Sequence, residues 1–315
     1  MANPSAARPL RQPRFSGLGW RRARWGYVFI APWIIGFVAF TAIPMIATLV
    51  FSFTNINLAQ ATPLQFVGLK NYELLVKDPQ VWDSLAITLK FAAIALPIAV
   101  ILPLLVALLL HSRHLVGSGG FRVLFFLPYV VPFVAGVFIW GGMLNPSTGW
   151  INLALQAIGI DNPPPWLEDP GWVYPGLGLI GVWGIGAGMI VYLAGLKGIP
   201  TDLYEAAKID GAGAFASLRH ITIPMLTPVI FYTVVLSVVE VMQYFLVPLV
   251  LQDGTGEPGG STMFFNLYLY KQFFTFQNMS YGATLAWLLF VITLAITLIL
   301  FRTARRWVYY AGEAR

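Results

Sequence analysis

Ser237, Glu240, Gln243 and Tyr244 stand within the apolar run SVVEVMQYFLVP at 237–248. Ser237, Glu240 and Tyr244 recur at intervals of three and four, which places them on one face of a helix, with Gln243 on the adjoining edge. Glu240 is the only carboxylate within the long apolar stretches of this chain. A charge at membrane depth costs at least ~2.5 kcal/mol unless it is paired or neutral, so Glu240 must face protein or a wet cavity. Two readings of it stand. In one, Glu240 and Gln243 hydrogen-bond a polyhydroxylated solute while Tyr244 or Phe245 stacks on its apolar face. In the other, Glu240 is protonated, or bonds a neighbouring subunit and holds two proteins together. Trp140, Trp183 and Tyr129 are further stacking candidates in a chain that is 15% aromatic.

Other chemistries are excluded by residue type. Cysteine is absent, which removes disulfides, thiolate metal sites and cysteine nucleophiles together. His111, His114 and His220 are the only histidines, and none has a ligand-like spacing to carboxylates. An intramembrane enzyme needs paired acids, or a serine with a histidine, at membrane depth. Glu240 is alone there, and all three histidines fall outside the apolar stretches. The expectation is no catalytic residue, no metal and no cofactor in this chain. No GxxxxGK[ST] run occurs, so any nucleotide must be bound by another chain.

The elements that must position these residues are membrane helices. Of 315 residues, 58% are hydrophobic and 10% charged, against about 25% charged in an average soluble domain. A chain so poor in charge cannot cover a water-facing surface. Six stretches reach the length of about 20 apolar residues that a bilayer core requires: Tyr27–Phe53, Leu85–Leu110, Phe121–Leu144, Val173–Leu196, Pro224–Leu251 and Tyr281–Phe301. With the N-terminus inside, fifteen of the nineteen Lys and Arg fall on the cytoplasmic side. Lys70, Lys77, Lys90 and Lys271 fall on the other, with most of the acids. That asymmetry predicts a multi-pass protein with both termini cytoplasmic. The net charge of +6 belongs to these flanks, which argues for membrane lipid rather than nucleic acid as its partner. The first stretch is too long for the core of a cleaved signal peptide. The expected organisation is a basic cytoplasmic tail at 1–24, a membrane-spanning unit at 25–305 and a cytoplasmic tail at 306–315. Gly176, Gly178, Gly181, Gly184, Gly186 and Gly188 crowd the fourth stretch. They form either a seam of close helix packing or a helix that slides during function.

Between the fourth and fifth stretches lies a polar loop, 197–223. Pro200 stops the preceding helix. Asp202 with Glu205 three residues later reads as a capping box. Leu203, Ala206 and Ala207 give a short helix with a small apolar face, and Asp210-Gly211 with Gly213 forces a turn. Residues 214–219 make a second short helix, and Pro224 opens the next span. A compact helix–turn–helix with a small apolar face suits docking into a groove on another protein.

Glu205-Ala206-Ala207, then Gly211, then Ile223-Pro224 resembles the EAA loop of binding-protein-dependent ABC importer permeases. Ile199-Pro200, Asp210-Gly211-Ala212 and Ile221 to Pro224 extend the match at the same spacing. The sugar branch of that family, of which the maltose permease is the familiar member, is resembled more widely. Phe66 to Leu69 with Asn71-Tyr72, Leu127-Pro128-Tyr129 to Trp140, Asn145-Pro146 with Gly149 to Asn152, Pro165-Trp166-Leu167 and Gly181-Val182-Trp183 carry that likeness, over about residues 25–305. The run at 253–262 departs from the branch: its glycines and proline are present but rearranged.

The resemblance implies an all-α membrane protein with six transmembrane helices and a cytoplasmic coupling helix, the type I permease fold. It implies import of di- or oligosaccharides, or of glycerol 3-phosphate or another polyol-like solute, across a bacterial cell membrane. Leu203, Glu205, Ala206, Ala207, Asp210, Gly211 and Phe215 would meet the ATPase. Ser237, Glu240, Gln243, Tyr244, Trp140 and Trp183 are the substrate candidates. The implied partners are a second homologous permease, two cytoplasmic ATPase subunits that bind ATP and Mg, and an extracytoplasmic sugar-binding protein. An ion-coupled secondary transporter is the rival from another class, but no inverted repeat of the kind such transporters carry is evident.

Overall fold

The computed structural model describes residues 17–59, 63–112 and 115–309, with side chains from residue 23 onward. Most of the N-terminal tail, the end of the C-terminal tail, and Arg113 with His114 lie outside the described residues. Within the described part the structure is helical, with one isolated antiparallel bridge between Thr54 and Phe66.

The first apolar stretch is α1 (Gly17–Phe37) and α2 (Ile43–Phe51), joined through a turn of π-helix at Val38–Ala42. Trp33, Phe40 and Ile46 are all exposed along it, as lipid- or partner-facing side chains of a membrane helix are. After the short helix α3 (Lys70–Lys77) comes α4 (Pro79–His111), the longest among the described residues. Asp78 starts it by accepting from the Gln80 amide at 3.0 Å, and Pro79 sits at the first position, where a missing N–H is harmless. Pro97 and Pro103 lie inside α4.

The third and fourth stretches are not continuous helices. The third is α5 (Ser118–Val130) and α6 (Phe133–Met143), bent by 100°. Pro132 has no N–H to donate and forces Val131 into an extended conformation, φ −69° and ψ 131°. Beyond the outer helix α7 (Trp150–Ala157), the fourth stretch is α8 (Val173–Trp183) and α9 (Ile185–Lys197), bent by 54° at Gly184. The loop contributes α10 (Thr201–Ile209) and α11 (Ala214–Ser217). A π-turn at Leu218–Thr222 carries α11 without a break into α12 (Ile223–Met242), so the fifth span begins before the expected Pro224. It breaks at 243–245 and resumes as α13 (Leu246–Leu251). The chain ends with α14 (Phe265–Tyr270), a π-turn at Lys271–Thr275 and α15 (Met279–Trp307). Four helices are thus long and apolar enough to cross a membrane, or six if each bent pair is one span.

The core runs between α4, α9 and α12. Met189, Tyr192, Leu196 and Leu226 are fully enclosed at its inner part. The glycines of α9 permit this closeness. A Cβ on Gly186 would collide with the Phe125 carbonyl and lie 2.9 Å from Phe126 Cα. One on Gly195 would lie 2.8 Å from Val229 and 2.9 Å from Leu226. Of the glycine run, Gly186 is close-packed, as is Gly176, whose Cβ would lie 2.6 Å from the Trp166 carbonyl, whereas a Cβ on Gly181 would meet nothing within 4 Å.

The outer ends are tied by polar groups. The phenols of Tyr268 and Tyr281 each donate to Asp78 Oδ2 at 2.6 Å. The Phe265 amide donates to the buried Thr88 hydroxyl at 2.9 Å. Asn71 Nδ2 donates to the Ser52 and Thr54 carbonyls at 2.8 and 2.9 Å. These bonds join the ends of α2, α4 and α15 to the outer helices α3 and α14.

Candidate functional site

Three helix breaks meet at one place. The α5–α6 break at Val131-Pro132, the α8–α9 break at Gly184 and the start of α13 beyond the 243–245 break all border a cavity of about 520 Å³. Irregular backbone at membrane depth is tolerated only where it is buried in protein or lines a cavity. Here it lines one. Tyr129 and Phe133 from the third stretch, Trp140 from α6, Trp183 from α8 and Tyr244 from the fifth span face the space.

The walls are aromatic and held by other rings. Trp140 and Trp183 meet edge to face with centroids 5.4 Å apart. Tyr244 packs on Phe91 at 4.8 Å and edge-on against Phe264 at 5.2 Å. Phe91 and Phe264 belong to the outer core cluster with Leu177 and Val247, so the cavity wall is continuous with that core. The indole Nε1 of Trp140 is buried without a hydrogen-bond partner. A buried donor left unmade costs about 1–3 kcal/mol.

Three of the six substrate candidates come together here: Trp140, Trp183 and Tyr244. The other three do not line the cavity. Ser237 is buried within α12, and Glu240 and Gln243 are exposed on the surface of the single chain. The shared face expected for Ser237, Glu240 and Tyr244 is not formed, because α12 ends at Met242 and Tyr244 lies beyond it in the break. Gln243 caps that end: its amide donates to the Val239 and Glu240 carbonyls at 3.2 Å, and its own carbonyl accepts from Asn266 Nδ2 at 2.8 Å. Phe133 and Gly184 were not singled out as substrate contacts from the sequence. The signal for the first was present in Pro132, a helix breaker in the middle of an apolar stretch.

The second site is the loop. α10 opens after Pro200 with no side-chain cap, so the capping box expected of Asp202 and Glu205 is not formed, and Glu205 is exposed. α10 closes on Gly211, at φ +81°. The Ala212 amide reaches back to the Ala207 carbonyl at 2.8 Å and Gly211 to Lys208 at 3.1 Å, the hydrogen-bond pattern of a glycine-terminated helix. Tyr204 braces α10 on the bundle by bonding the Thr222 hydroxyl at 2.9 Å and by packing beside Ile199 and Leu196. The remaining face points away, with Leu203, Ile209 and Phe215 exposed at 41%, 87% and 74%. Glu205, Ala206, Asp210 and Gly211 are exposed with them, and Ala207 is half-buried.

The family described as the binding-protein-dependent transport system inner membrane component matches residues 74–311. A probable ABC transporter permease protein of Bacillus subtilis (strain 168), YesP, is 36% identical, covering 91% of this chain and 93% of its own. The lactose transport system permease protein LacF of Rhizobium radiobacter is 35% identical over 89% and 94% of the two chains. Among solved structures, a bacterial alginate ABC transporter in complex with its pentasaccharide-bound periplasmic protein aligns with a TM-score of 0.76 at 23% identity, over 93% and 98% of the chains.

Proposed function

The chain belongs to the family of binding-protein-dependent transport system inner membrane components, a multi-pass membrane subunit and not an enzyme, and from that premise we propose that it forms half of the passage of an ATP-driven sugar importer. The observation that carries the reading is the aromatic cavity bordered by three broken helices. Broken helices put unpaired backbone groups and inward-facing rings at mid-membrane, which is where a transporter binds its cargo. The lactose-transporting relative supports saccharides as the cargo.

In the proposed mechanism the six stretches act as six spans with both termini inside. An extracytoplasmic binding protein delivers the sugar to the outer loops. A second homologous permease closes the other side of the path. Two separate ATPase subunits, holding ATP and Mg, grip α10 through Leu203, Glu205, Ala206, Ala207, Asp210, Gly211 and Phe215. Tyr204 and the unbroken run from α11 into α12 support the transmission step. Movement of the loop travels through one continuous helical run as far as Met242, two residues short of Tyr244 at the cavity. Coupling needs each site to differ between the two states. Here those states are a cavity open outward with the ATPases closed, and the reverse. Ser237 packs inside the moving helix, Trp140, Trp183 and Tyr244 hold the sugar, and Glu240 and Gln243 face the partner permease.

Uptake of labelled sugar into vesicles holding the assembled complex, with and without internal ATP, tests this. ATP-dependent uptake is expected. Uptake driven by an ion gradient alone would overturn it.

A further inference from the structure

We infer that the cargo of this permease is an uncharged saccharide, held by ring stacking, and that its anionic counterparts are rejected. The inference rests on the proposed import function and narrows its substrate class.

Two separate observations carry it. The first is the chemistry of the cavity wall. Its polar side-chain atoms belong to Tyr129, Trp140, Trp183 and Tyr244, and no lining residue is charged. A carboxylate or phosphate entering such a space leaves its hydration shell and finds no cation from this chain. Burying an ion without a paired charge is far more costly than burying a hydroxyl that finds a hydrogen bond. A neutral sugar presents what the wall accepts. Its C–H face lies flat on an aromatic ring, and its hydroxyls carry no charge to strand there.

The second observation is the charge beside the cavity. A recess of about 650 Å³ lies at the C-terminal ends of α6 and α13, two helices that also wall the cavity. Glu168, Asp253 and Glu257 line it, and no lysine, arginine or histidine among the described residues does. Their carboxylates repel a nearby anion, while a neutral solute is indifferent to them. An acidic recess beside the cavity and a wall that offers no counter-charge discriminate in the same direction.

The test uses the assembled transporter in nanodiscs, without the binding protein, so that the receptor's own selectivity is removed. Tryptophan fluorescence and ATPase stimulation are measured with matched pairs that differ only at C6: galactobiose and digalacturonate, mannobiose and dimannuronate, cellobiose and diglucuronate, together with lactose, maltose and trehalose. At least one neutral sugar is expected to bind, with its uronate weaker by about tenfold or more. Trp183→Leu should weaken that binding by about tenfold, and Trp183→Phe, which keeps a ring, should restore most of it. A uronate that binds as well as its neutral partner overturns the inference and leaves sugar import standing. Silence across the whole panel in a complex that still hydrolyses ATP overturns the saccharide reading itself.

Discussion

Trp140 and Trp183 touch edge to face across 5.4 Å, and each comes from a helix that stops at the same cavity. The pair links α6 to α8 at the cavity wall. Ring pairs of this geometry contribute ~0.5–1.5 kcal/mol beyond their buried area. The same contact leaves both indoles on the cavity wall. Trp140→Ala is therefore expected to raise the KM for sugar uptake by about tenfold while the subunits still co-purify. An unchanged KM in an assembled complex would remove Trp140 from the binding wall.

Ile209 and Phe215 flank the turn at Gly211 and are among the most exposed large apolar residues of the chain. Exposed apolar side chains on a short helix outside the membrane are interface anchors. Phe215→Ala or Ile209→Ala is expected to weaken capture of the ATPase by ~2 kcal/mol, about thirtyfold. Glu205→Ala should release ATP hydrolysis from sugar uptake with a smaller loss of capture. Pull-down and coupled transport assays separate the two. ATPase capture indifferent to Phe215 would place the docking surface elsewhere.

The loop was legible because its signals are local. Pro200 and Asp210-Gly211 punctuate the sequence whatever surrounds them, and the structure places α10 and the turn accordingly, whereas α11 runs on through Pro224 into α12. The apolar stretches were legible by composition, since length and hydropathy need no tertiary information. The cavity was not. Periodicity assigns a face to each residue only while the helix continues, and the breaks at Val131-Pro132, Gly184 and 243–245 reset the phase. Tyr244 was assigned to the face of Glu240 by counting through a break. The same limit explains the missing capping box. Asp202 and Glu205 have the right spacing, but Pro200 ends in an extended conformation and starts the helix at Thr201, two residues too early for Asp202 to cap it.

Gly186 has no room for a side chain. A Cβ there meets the backbone of α5, which cannot shift as a flexible side chain would. Gly186→Ala is expected to destabilise the bundle by ~1–3 kcal/mol. Gly181→Ala is the control, since nothing lies within 4 Å of its added Cβ. Thermal denaturation of the purified complex should show a lower midpoint for Gly186→Ala and none for Gly181→Ala. Equal midpoints would mean that α5 and α9 are not in close contact in the membrane.

Asp78 holds three donors: the Gln80 amide and the phenols of Tyr268 and Tyr281. Hydrogen bonds to a charged group are worth ~1.5–3 kcal/mol each, so Asp78→Ala should lower the stability of the outer ends by ~3 kcal/mol. Tyr268 lies in α14, outside the long apolar helices. Burial first, and then its bond to and the charge of Asp78, raise its phenol above the ordinary value of 10.0. The folded protein thus keeps the proton after the unfolded chain has lost it. The stabilisation is complete below pH 10 and falls as pH rises beyond that value. Tyr268→Phe should flatten this alkaline slope in a melting-temperature series from pH 8 to 11. A slope unchanged by the substitution would show that the clasp does not control it.

Glu240 ends in the last turn of α12 with its side chain exposed on the single chain and away from the cavity wall. An exposed carboxylate at this depth cannot face lipid without a cost of at least ~2.5 kcal/mol. A protein surface or a wet cavity must therefore meet it, and in the proposed assembly the second permease supplies that surface. Glu240→Ala should then loosen the pair of permeases by ~2–5 kcal/mol, because a polar partner on the other chain is left buried and unmatched. Glu240→Gln, which keeps the shape and one acceptor, should lose less. Sugar binding by the complexes that do assemble should stay unchanged in both. The readout is co-purification of the two permeases in detergent, followed by sugar titration of the intact fraction. Complexes that assemble fully but no longer bind sugar would instead put Glu240 in the path of the cargo, on a wall completed only when the two halves meet.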